Sequence, residues 1–274
     1  MATSNHLTKI AIVGAGGNSG RFITEALLKT GKHTITALTR TDSQSKLPEG
    51  ALRGQDALII TLSGFAPKVV QTQLINAAGE AGVGWILPNE WAPDTANEVL
   101  VQDSLSMPAA FGIDFANHTA TLFDEGETKI SVSTWPQIGC AVAALLSLPI
   151  NSEGSNKEDC LENFRNKLVY VNSFTVSQRD MLESALRVTG TKEEDWTVTK
   201  EPAQERYSTG IEQIEEGQRI GYAKMMYTRV FYPDGCGDTE HNRGTLNSLL
   251  GLPKEDIDEA TNRAIERSKG STWV

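Results

Sequence analysis

Three glycines near the start of the chain have the spacing that a bound diphosphate requires. Gly14, Gly17 and Gly20 form a G-x-x-G-x-x-G pattern. A diphosphate binds where backbone N–H groups converge at a helix N-terminus and no side chain intervenes. Glycines this close together weaken a fold unless something approaches the backbone, although a glycine-rich turn without a ligand is the alternative. We therefore predict a dinucleotide phosphate site at Gly14, Gly16, Gly17, Asn18, Ser19 and Gly20.

Two cations after the second predicted strand indicate which dinucleotide binds. Enzymes that use NAD place Asp or Glu there for the ribose 2′-hydroxyl, whereas NADP requires a cation for its 2′-phosphate. This chain has Arg40, with Lys46 shortly after it, and Asp42 lies late for the ribose contact. The guanidinium of Arg40 can pair with the phosphate and lie on the adenine ring, although a solvated loop charge is the alternative. The sequence favours NADP(H).

The elements that position these residues are a strand, a helix and a second strand. Residues 10–13 form a continuous apolar run, which is typical of a buried parallel strand. The helix that follows has apolar residues at helical spacing, and Gly31 stands where a left-handed C-terminal cap belongs. Residues 34–39 then form the second strand, at the distance that a strand–helix–strand unit predicts.

Two further strands place polar turns at the same edge of the predicted sheet. These strands are residues 57–62 and 84–87, and Pro67 opens the helix between them. Ligands of open α/β sheets bind outside the carboxyl ends of the strands. Glu90 lies in the second turn, where a helix-capping role is the alternative. The candidate cofactor contacts in the two turns are Ser63, Gly64, Phe65, Pro88, Asn89 and Glu90.

The fold class that follows is α/β: a Rossmann-type doubly wound parallel sheet with a smaller, mostly helical substrate lobe. We expect the nucleotide-binding lobe at residues 1–104. The remaining sheet strands and the substrate lobe are expected at residues 105–274.

The second of these regions contains several predicted elements. Residues 119–123 and 129–133 have the pattern of a hairpin. Residues 167–171 are predicted as one more sheet strand, with a helix at residues 177–188 after it. The C-terminal third is mostly helical by its period, with breaks expected at Gly210, at residues 233–235 and at residues 251–253.

Composition excludes several classes of protein. The 274 residues carry a formal net charge of −10, which disfavours binding to nucleic acid and to anionic membranes. The three cysteines lie far apart and lack a C-x-x-C pair, which is typical of reduced thiols in the cytoplasm, with the nucleus as the alternative. No signal peptide is visible, and the most apolar stretch, residues 140–150, is too short to span a bilayer.

These motifs resemble the fungal NmrA-like proteins, atypical short-chain dehydrogenases related to isoflavone reductase and phenylcoumaran benzylic ether reductase. The resemblance runs almost end to end. It implies a Rossmann lobe that binds NADP(H), a small substrate lobe, and either reductase activity or a cofactor-sensing role. It is carried by the glycine loop, the Ala-Leu-Thr-Arg sequence ending at Arg40, the Leu-Ser-Gly-Phe turn ending at Phe65 and, most specifically, the Pro-Asn-Glu-Trp turn ending at Trp91.

The chain departs from this family at two junctions. Only residues 41–56 separate Arg40 from the third strand, whereas the two crossovers and the edge strand of the family need roughly 29 residues. After Gln102 the chain also lacks the segment in which the family's helix continues and leads to another sheet strand. We therefore expect two internal deletions and a shortened nucleotide-binding lobe.

No catalytic residue can be assigned from the sequence. A tyrosine-based short-chain dehydrogenase needs a Y-x-x-x-K pair, and none of the five tyrosines has one. In the reductases that the chain resembles, a lysine on the helix after the Asn-Glu turn is the general acid or base, and that segment is missing here. The side chains between Cys236 and His241 lie too close together to enclose a metal ion, so none is expected. Fast turnover would contradict this interpretation, and the candidate proton donors would then be Lys68, Glu90, Tyr207 and Lys224.

The expected function is that of an NADPH-dependent oxidoreductase acting on a small substrate, with aromatic compounds as one class. Trp91 and Trp135 could line an aromatic pocket, although core packing is the commoner role of Trp. The alternatives are a catalytically silent NADP(H) sensor that acts through a regulatory protein partner, and a defective form of either protein. The glycine loop supports reductase and sensor equally, whereas the missing proton donor predicts poor turnover.

Overall fold

The computed structural model describes residues 4–39, 50–63, 66–91, 94, 111–152 and 159–268. The chain divides into two compact units, each built from segments that are distant in the sequence. The domain boundary predicted at residue 104 lies outside the described residues and stays a prediction. The first unit consists of Met1–Trp91, Trp135–Val171 and Leu246–Leu252, and the second of Ala92–Thr134, Asn172–Thr245 and Pro253–Val274.

The first unit contains a four-stranded parallel sheet. Its strands are β1 (Lys9–Val13), β2 (Thr34–Leu38), β3 (Ala57–Ile60) and β4 (Trp85–Leu87). They lie in the order β2-β1-β3-β4, and every neighbouring pair is parallel. The four strands predicted from apolar runs are confirmed. All of β3 is buried, which explains its continuous apolar sequence.

Helices cover both faces of this sheet. They are α1 (Asn18–Lys29), α2 (Lys68–Glu80) and α3 (Trp135–Leu146). Ile10 and Ile12 of β1 belong to the core cluster that includes α1 and α3, whereas Ala11 belongs to the cluster that includes α2. This is the doubly wound α/β arrangement that the sequence predicts. The chain leaves α1 as expected, since Gly31 has a φ of +65°.

The strand predicted at residues 167–171 is wrong. Val169, Tyr170 and Val171 are half-buried, and the two valines pack against the core of the first unit, while Leu168 is 43% exposed. The Tyr170 carbonyl, however, accepts the N–H of Leu246, and the segment pairs with no strand of the described residues. An apolar run therefore marks a half-buried segment outside any sheet here.

The second unit contains two small sheets and is otherwise mainly helical. One sheet has the order β5 (Ile113–Asp114), β6 (Thr119–Phe123) and β9 (Thr197–Glu201), and the other pairs β7 (Ile130–Val132) with β8 (Phe174–Val176). The helices are α4 (Gln178–Thr189), α5 (Ala203–Glu215), α6 (Arg219–Val230), α7 (Thr239–Arg243) and α8 (Ile257–Ser268). Helix α4 confirms the one predicted at residues 177–188.

The hairpin predicted from residues 119–123 and 129–133 is wrong, because β6 and β7 belong to different sheets. β6 pairs in parallel with β9. At the end of β6, the N–H of Asp124 donates to the Glu201 carbonyl, which continues the pairing with β9. β7 pairs instead with β8, which is distant in the sequence.

The break predicted at Gly210 is also wrong, since this residue lies inside α5. A Cβ at Gly210 would lie 2.7 Å from the backbone nitrogen of Met225 and 2.8 Å from the carbonyl oxygen of Gly221, both on α6. Glycine therefore allows α5 and α6 to pack at short distance. None of the helices in the described residues is long and apolar enough to cross a membrane.

Candidate functional site

The glycine loop connects β1 to α1 at the carboxyl edge of the sheet. Gly14 leaves the strand with a φ of +81°, a left-handed conformation that favours glycine. Gly17 is the N-cap of α1, and its N–H donates to the Gly14 carbonyl at 2.9 Å. This turn brings the N-terminus of the helix close to the end of the strand.

The four glycines of the loop differ in what surrounds them. A Cβ at Gly14 would lie 2.1 Å from the carbonyl oxygen of Thr61, and a Cβ at Gly20 would lie 2.1 Å from the carbonyl oxygen of Gly14. No side chain fits at either position. At Gly17 the nearest atom would be 3.2 Å away, and at Gly16 nothing would lie within 4 Å. The outer pair therefore closes the loop, whereas Gly16 faces open space and Gly17 is near the Gly14 carbonyl alone.

The loop lies where the direction of winding reverses. The connection from β1 to β2 runs through α1 on one face of the sheet, and the connection from β3 to β4 runs through α2 on the other. In open α/β sheets this reversal leaves a crevice at the carboxyl ends of the two central strands, where ligands bind. Here the central strands are β1 and β3.

The helix N-termini at this edge carry no compensating negative charge. Neither α1 nor α2 has Asp or Glu in its first turn, although the net charge of the chain is −10. In the second unit, α4, α5, α7 and α8 all have an acidic residue in the first turn. The partial positive charge at the start of α1 therefore remains available to an anion.

Side-chain amides hold the turns after β3 and β4 together. The Asn89 Oδ1 accepts the N–H of Leu62 at 2.9 Å, and the Asn89 N–H donates to the Gln71 Oε1 at 2.9 Å. The indole N–H of Trp91 donates to the Ile60 carbonyl at 2.8 Å. Asn89 and Trp91 thus have structural roles in addition to any contact with a ligand.

The structure brings most of the predicted cofactor contacts to one edge. The glycine loop, Ser63 and residues 88–90 all follow strands of the same parallel sheet, and Ser63 and Glu90 are exposed there. Four predicted contacts lie outside the described residues, so their roles stay predictions: Arg40, Lys46, Gly64 and Phe65.

The sequence did not indicate the roles of Thr61 and Gln71. Each forms a hydrogen bond to the backbone of the predicted site from another part of the chain. The Thr61 hydroxyl donates to the Val13 carbonyl across 48 positions of sequence. Gln71 lies on α2 and reaches the turn after β4. No spacing rule connects residues so far apart. The one available signal was a threonine at the end of the otherwise apolar run of β3.

The candidate proton donors are divided between the two units. Lys68 begins α2 and Glu90 follows β4, and both are exposed at the carboxyl edge of the first unit. In the second unit, the Lys224 Nζ lies 3.3 Å from Glu201, which also accepts from Arg206 at 2.6 Å. Burial opposes the ionisation of Glu201, but these two cations outweigh it and lower the pKa of its carboxyl group.

The remaining candidate side chains have structural partners. Tyr207 packs edge-on against another tyrosine ring at 5.8 Å, and Trp135 lies 6.3 Å from Phe22 between ring centroids. The Cys236 sulfur accepts from Arg229 at 2.9 Å, and burial raises the pKa of its thiol to about 12. Among the described residues, no group of three or more His, Cys, Asp or Glu side chains is placed to hold a metal ion.

The chain is similar to a fungal oxidoreductase. It is 28% identical to oxidoreductase aprR of Aspergillus flavus over 302 residues, which covers 92% of this chain and 96% of aprR. Because this chain has 274 residues, the alignment contains positions that the chain lacks. The two expected internal deletions stay a prediction. No protein-family model matches the chain.

Solved structures share the fold over nearly the whole chain. AtPrR2 with NADP+ and (+)pinoresinol has a TM-score of 0.67 at 17% identity, covering 94% of this chain and 99% of that one. Isoflavone reductase has a TM-score of 0.64 at 15% identity, covering 96% of this chain and 100% of that one. These likenesses confirm the Rossmann-type fold and the predicted resemblance to isoflavone reductase-like proteins.

Proposed function

We propose that this protein is an NADPH-dependent oxidoreductase that reduces a small molecule. The observation that carries the proposal is the glycine loop at the centre of the parallel sheet, which is clear of side chains at Gly16 and Gly17 and meets an uncompensated helix N-terminus. The fungal relative aprR is called an oxidoreductase, and the structure of AtPrR2 contains NADP+. Both likenesses support the proposal.

The cofactor supplies the hydride, and the chain binds and orients it. The backbone at the start of α1 holds the diphosphate, and the turns after β3 and β4 border the crevice that contains it. Arg40 and Lys46 bind the 2′-phosphate that distinguishes NADP from NAD. The regulatory sensor is less well supported, since the relative and the solved structures that the chain resembles are named as an oxidoreductase and as reductases.

The cofactor preference is tested first. The wild type should bind NADPH about 10- to 100-fold more tightly than NADH, because a charged contact to the 2′-phosphate is worth about 1.5–3 kcal/mol. Arg40→Ala should remove most of this difference in a calorimetric titration. Lys29→Ala, which removes an exposed charge at the far end of α1, is the matched control and should retain it. Equal affinity of the wild type for both cofactors would refute the NADP assignment.

Reduction is tested by following NADPH oxidation with aryl ketones, quinones and benzylic ethers. We expect slow but measurable turnover, because a positioned proton donor contributes about 10²–10⁴ in rate and no Tyr-Lys pair is present. Tight NADPH binding with no oxidation by any of these compounds would contradict the oxidoreductase proposal and favour the sensor.

A further inference from the structure

Thr61 connects the third strand of the first unit to the glycine loop. It follows β3 directly, and only 7% of its surface is exposed. Its backbone N–H donates to the Val13 carbonyl at 2.9 Å, and its hydroxyl lies 2.8 Å from that oxygen and 3.1 Å from the carbonyl oxygen of Gly14. A hydroxyl carries one proton, so this O–H is shared between two carbonyls of the loop.

The Gly14 carbonyl is held by two donors that both belong to the protein. In addition to the Thr61 hydroxyl, it accepts the N–H of Gly17 at 2.9 Å. It also points toward the first turn of α1, because its oxygen would lie 2.1 Å from a Cβ at Gly20. The negative end of this peptide group therefore faces the helix and β3.

The direction of this carbonyl determines where the next N–H points. In a trans peptide the C=O and N–H point in opposite directions, and no cis peptide occurs in the described residues. With the Gly14 carbonyl turned inward, the N–H of Ala15 points out of the loop. No residue that the structure describes accepts a hydrogen bond from the N–H of Ala15 or of Gly16. Both groups are therefore available to a ligand.

We infer that Thr61 is a positioning residue for the diphosphate of the cofactor, an inference that rests on the proposed function. The Thr61 hydroxyl holds the Gly14 carbonyl away from the anion and so presents the Ala15 N–H to it. Without the hydroxyl, the Gly14 carbonyl keeps only the Gly17 N–H as a donor, so the peptide group between Gly14 and Ala15 is held less firmly. A carbonyl oxygen that turned toward the diphosphate would repel it. Thr61 thus acts on cofactor affinity and not on hydride transfer.

The test compares Thr61→Val, which removes the hydroxyl at nearly constant shape, with Thr61→Ser, which keeps it. Thr36→Val on β2 is the matched control, because it removes a hydroxyl that accepts a hydrogen bond from the Gln55 side-chain amide at 3.2 Å, away from the glycine loop. In a calorimetric titration, Thr61→Val should bind NADP+ about tenfold more weakly than the wild type, whereas Thr61→Ser and Thr36→Val should bind it normally. The KM for NADPH should rise by the same factor, while kcat at saturating NADPH stays unchanged.

A second ligand separates positioning from general damage to the fold. Adenosine 2′-monophosphate carries the 2′-phosphate but lacks the diphosphate, and its weaker binding can be followed by NMR. Thr61→Val should leave its affinity unchanged while weakening that of NADP+. A merely structural role for Thr61 would weaken both ligands to the same extent.

The outcomes distinguish this inference from the proposed function. A wild-type protein that does not bind NADP+ refutes the proposed function itself. Equal NADP+ affinity of the wild type and Thr61→Val, or a parallel loss of both ligands, overturns the inference alone. The methyl group of valine is larger than the hydroxyl that it replaces. If Thr61→Val does not fold for this reason, Thr61→Ala takes its place, and it should bind NADP+ about tenfold more weakly than Thr61→Ser. If Thr61→Ala also fails to fold, the hydroxyl is a folding requirement and the inference is overturned.

Discussion

Gly17→Val should separate the folding role of the glycine loop from its binding role. A Cβ at Gly17 would lie 3.2 Å from the carbonyl oxygen of Gly14, so the loop must yield by only a few tenths of an ångström. Replacing glycine by an apolar residue at the N-cap of α1 adds a cost of about 1 kcal/mol. The melting temperature should therefore fall by only about 2–4 °C, and circular dichroism can measure this change.

The loss of cofactor binding by Gly17→Val should be much larger. The valine adds bulk at the N-cap, beside the first N–H groups of α1 that have no partner within the helix. Losing two hydrogen bonds to a charged phosphate, at about 1.5–3 kcal/mol each, weakens NADPH binding at least about 100-fold. Isothermal titration calorimetry on the folded variant measures this loss directly.

A glycine outside the loop provides the control. A Cβ at Gly79 in α2 meets nothing within 4 Å, so Gly79→Val should retain both the melting temperature and the affinity. A folded Gly17→Val protein with unchanged NADPH affinity would show that the loop is only structural. An equal loss of affinity in Gly79→Val would show that the effect is not specific to the loop.

Three further predictions concern stability and ionisation. Gly139→Ala should destabilise the protein by about 1–3 kcal/mol in urea unfolding, because its Cβ would lie 2.5 Å from the Phe22 carbonyl oxygen. Burial lowers the pKa of His33 below its ordinary value of 6.5. The stability that the neutral, buried His33 contributes is therefore complete above pH 6.5 and is lost as the pH falls through the lower pKa of the folded state. Urea unfolding at a series of pH values measures this loss. Hydrogen bonds, led by that from Arg187, lower the pKa of Asp258 to about 2, and Arg187→Ala should raise this pKa toward 3.8 in an NMR titration.

Each of these predictions has a control in the chain. Gly79→Ala in α2 is the control for Gly139→Ala, because it places a Cβ where nothing lies within 4 Å and should not reduce stability. A Gly139→Ala protein as stable as the wild type would contradict the close packing of α1 and α3. His33→Gln should reduce the pH dependence of the free energy of unfolding below pH 6.5. An unchanged pH dependence would show that it arises from other titratable groups. Arg263→Ala should leave the pKa of Asp258 where it is, because Arg263 pairs with other carboxylates.

Local sequence patterns predict the strands that are buried in the centre of the sheet. They do not predict which strand another strand pairs with. β1 and β3 are buried in the centre of a parallel sheet, so their apolar runs are sufficient to identify them. Residues 167–171 have the same apolar character but bond to a loop. β6 and β7 have strand-like sequences, yet they do not pair with each other: β7 pairs with the distant β8, and β6 pairs with the distant β9 and with the preceding β5. Local pattern carries no information about that choice.

The same limit applies to the candidate site. The glycine spacing lies within one short segment, so it could be recognised in the sequence. The contacts that hold this segment in place come from Thr61, and those that hold the turn after β4 come from Gln71 on α2. Both residues are polar and common in turns and helices, so nothing in their type distinguishes a positioning role from solvent exposure.

The position of the glycine loop is compatible with the expected loss of an edge strand. The first expected deletion falls between β2 and β3, where the family has an edge strand, and in the described residues β2 is at the edge of the sheet. The crevice, however, lies between β1 and β3, with α1 on one face and α2 on the other. Every backbone contact that shapes the loop comes from these central elements. The expected loss of an edge strand should therefore remove apolar cover and stability but leave the proposed phosphate site intact.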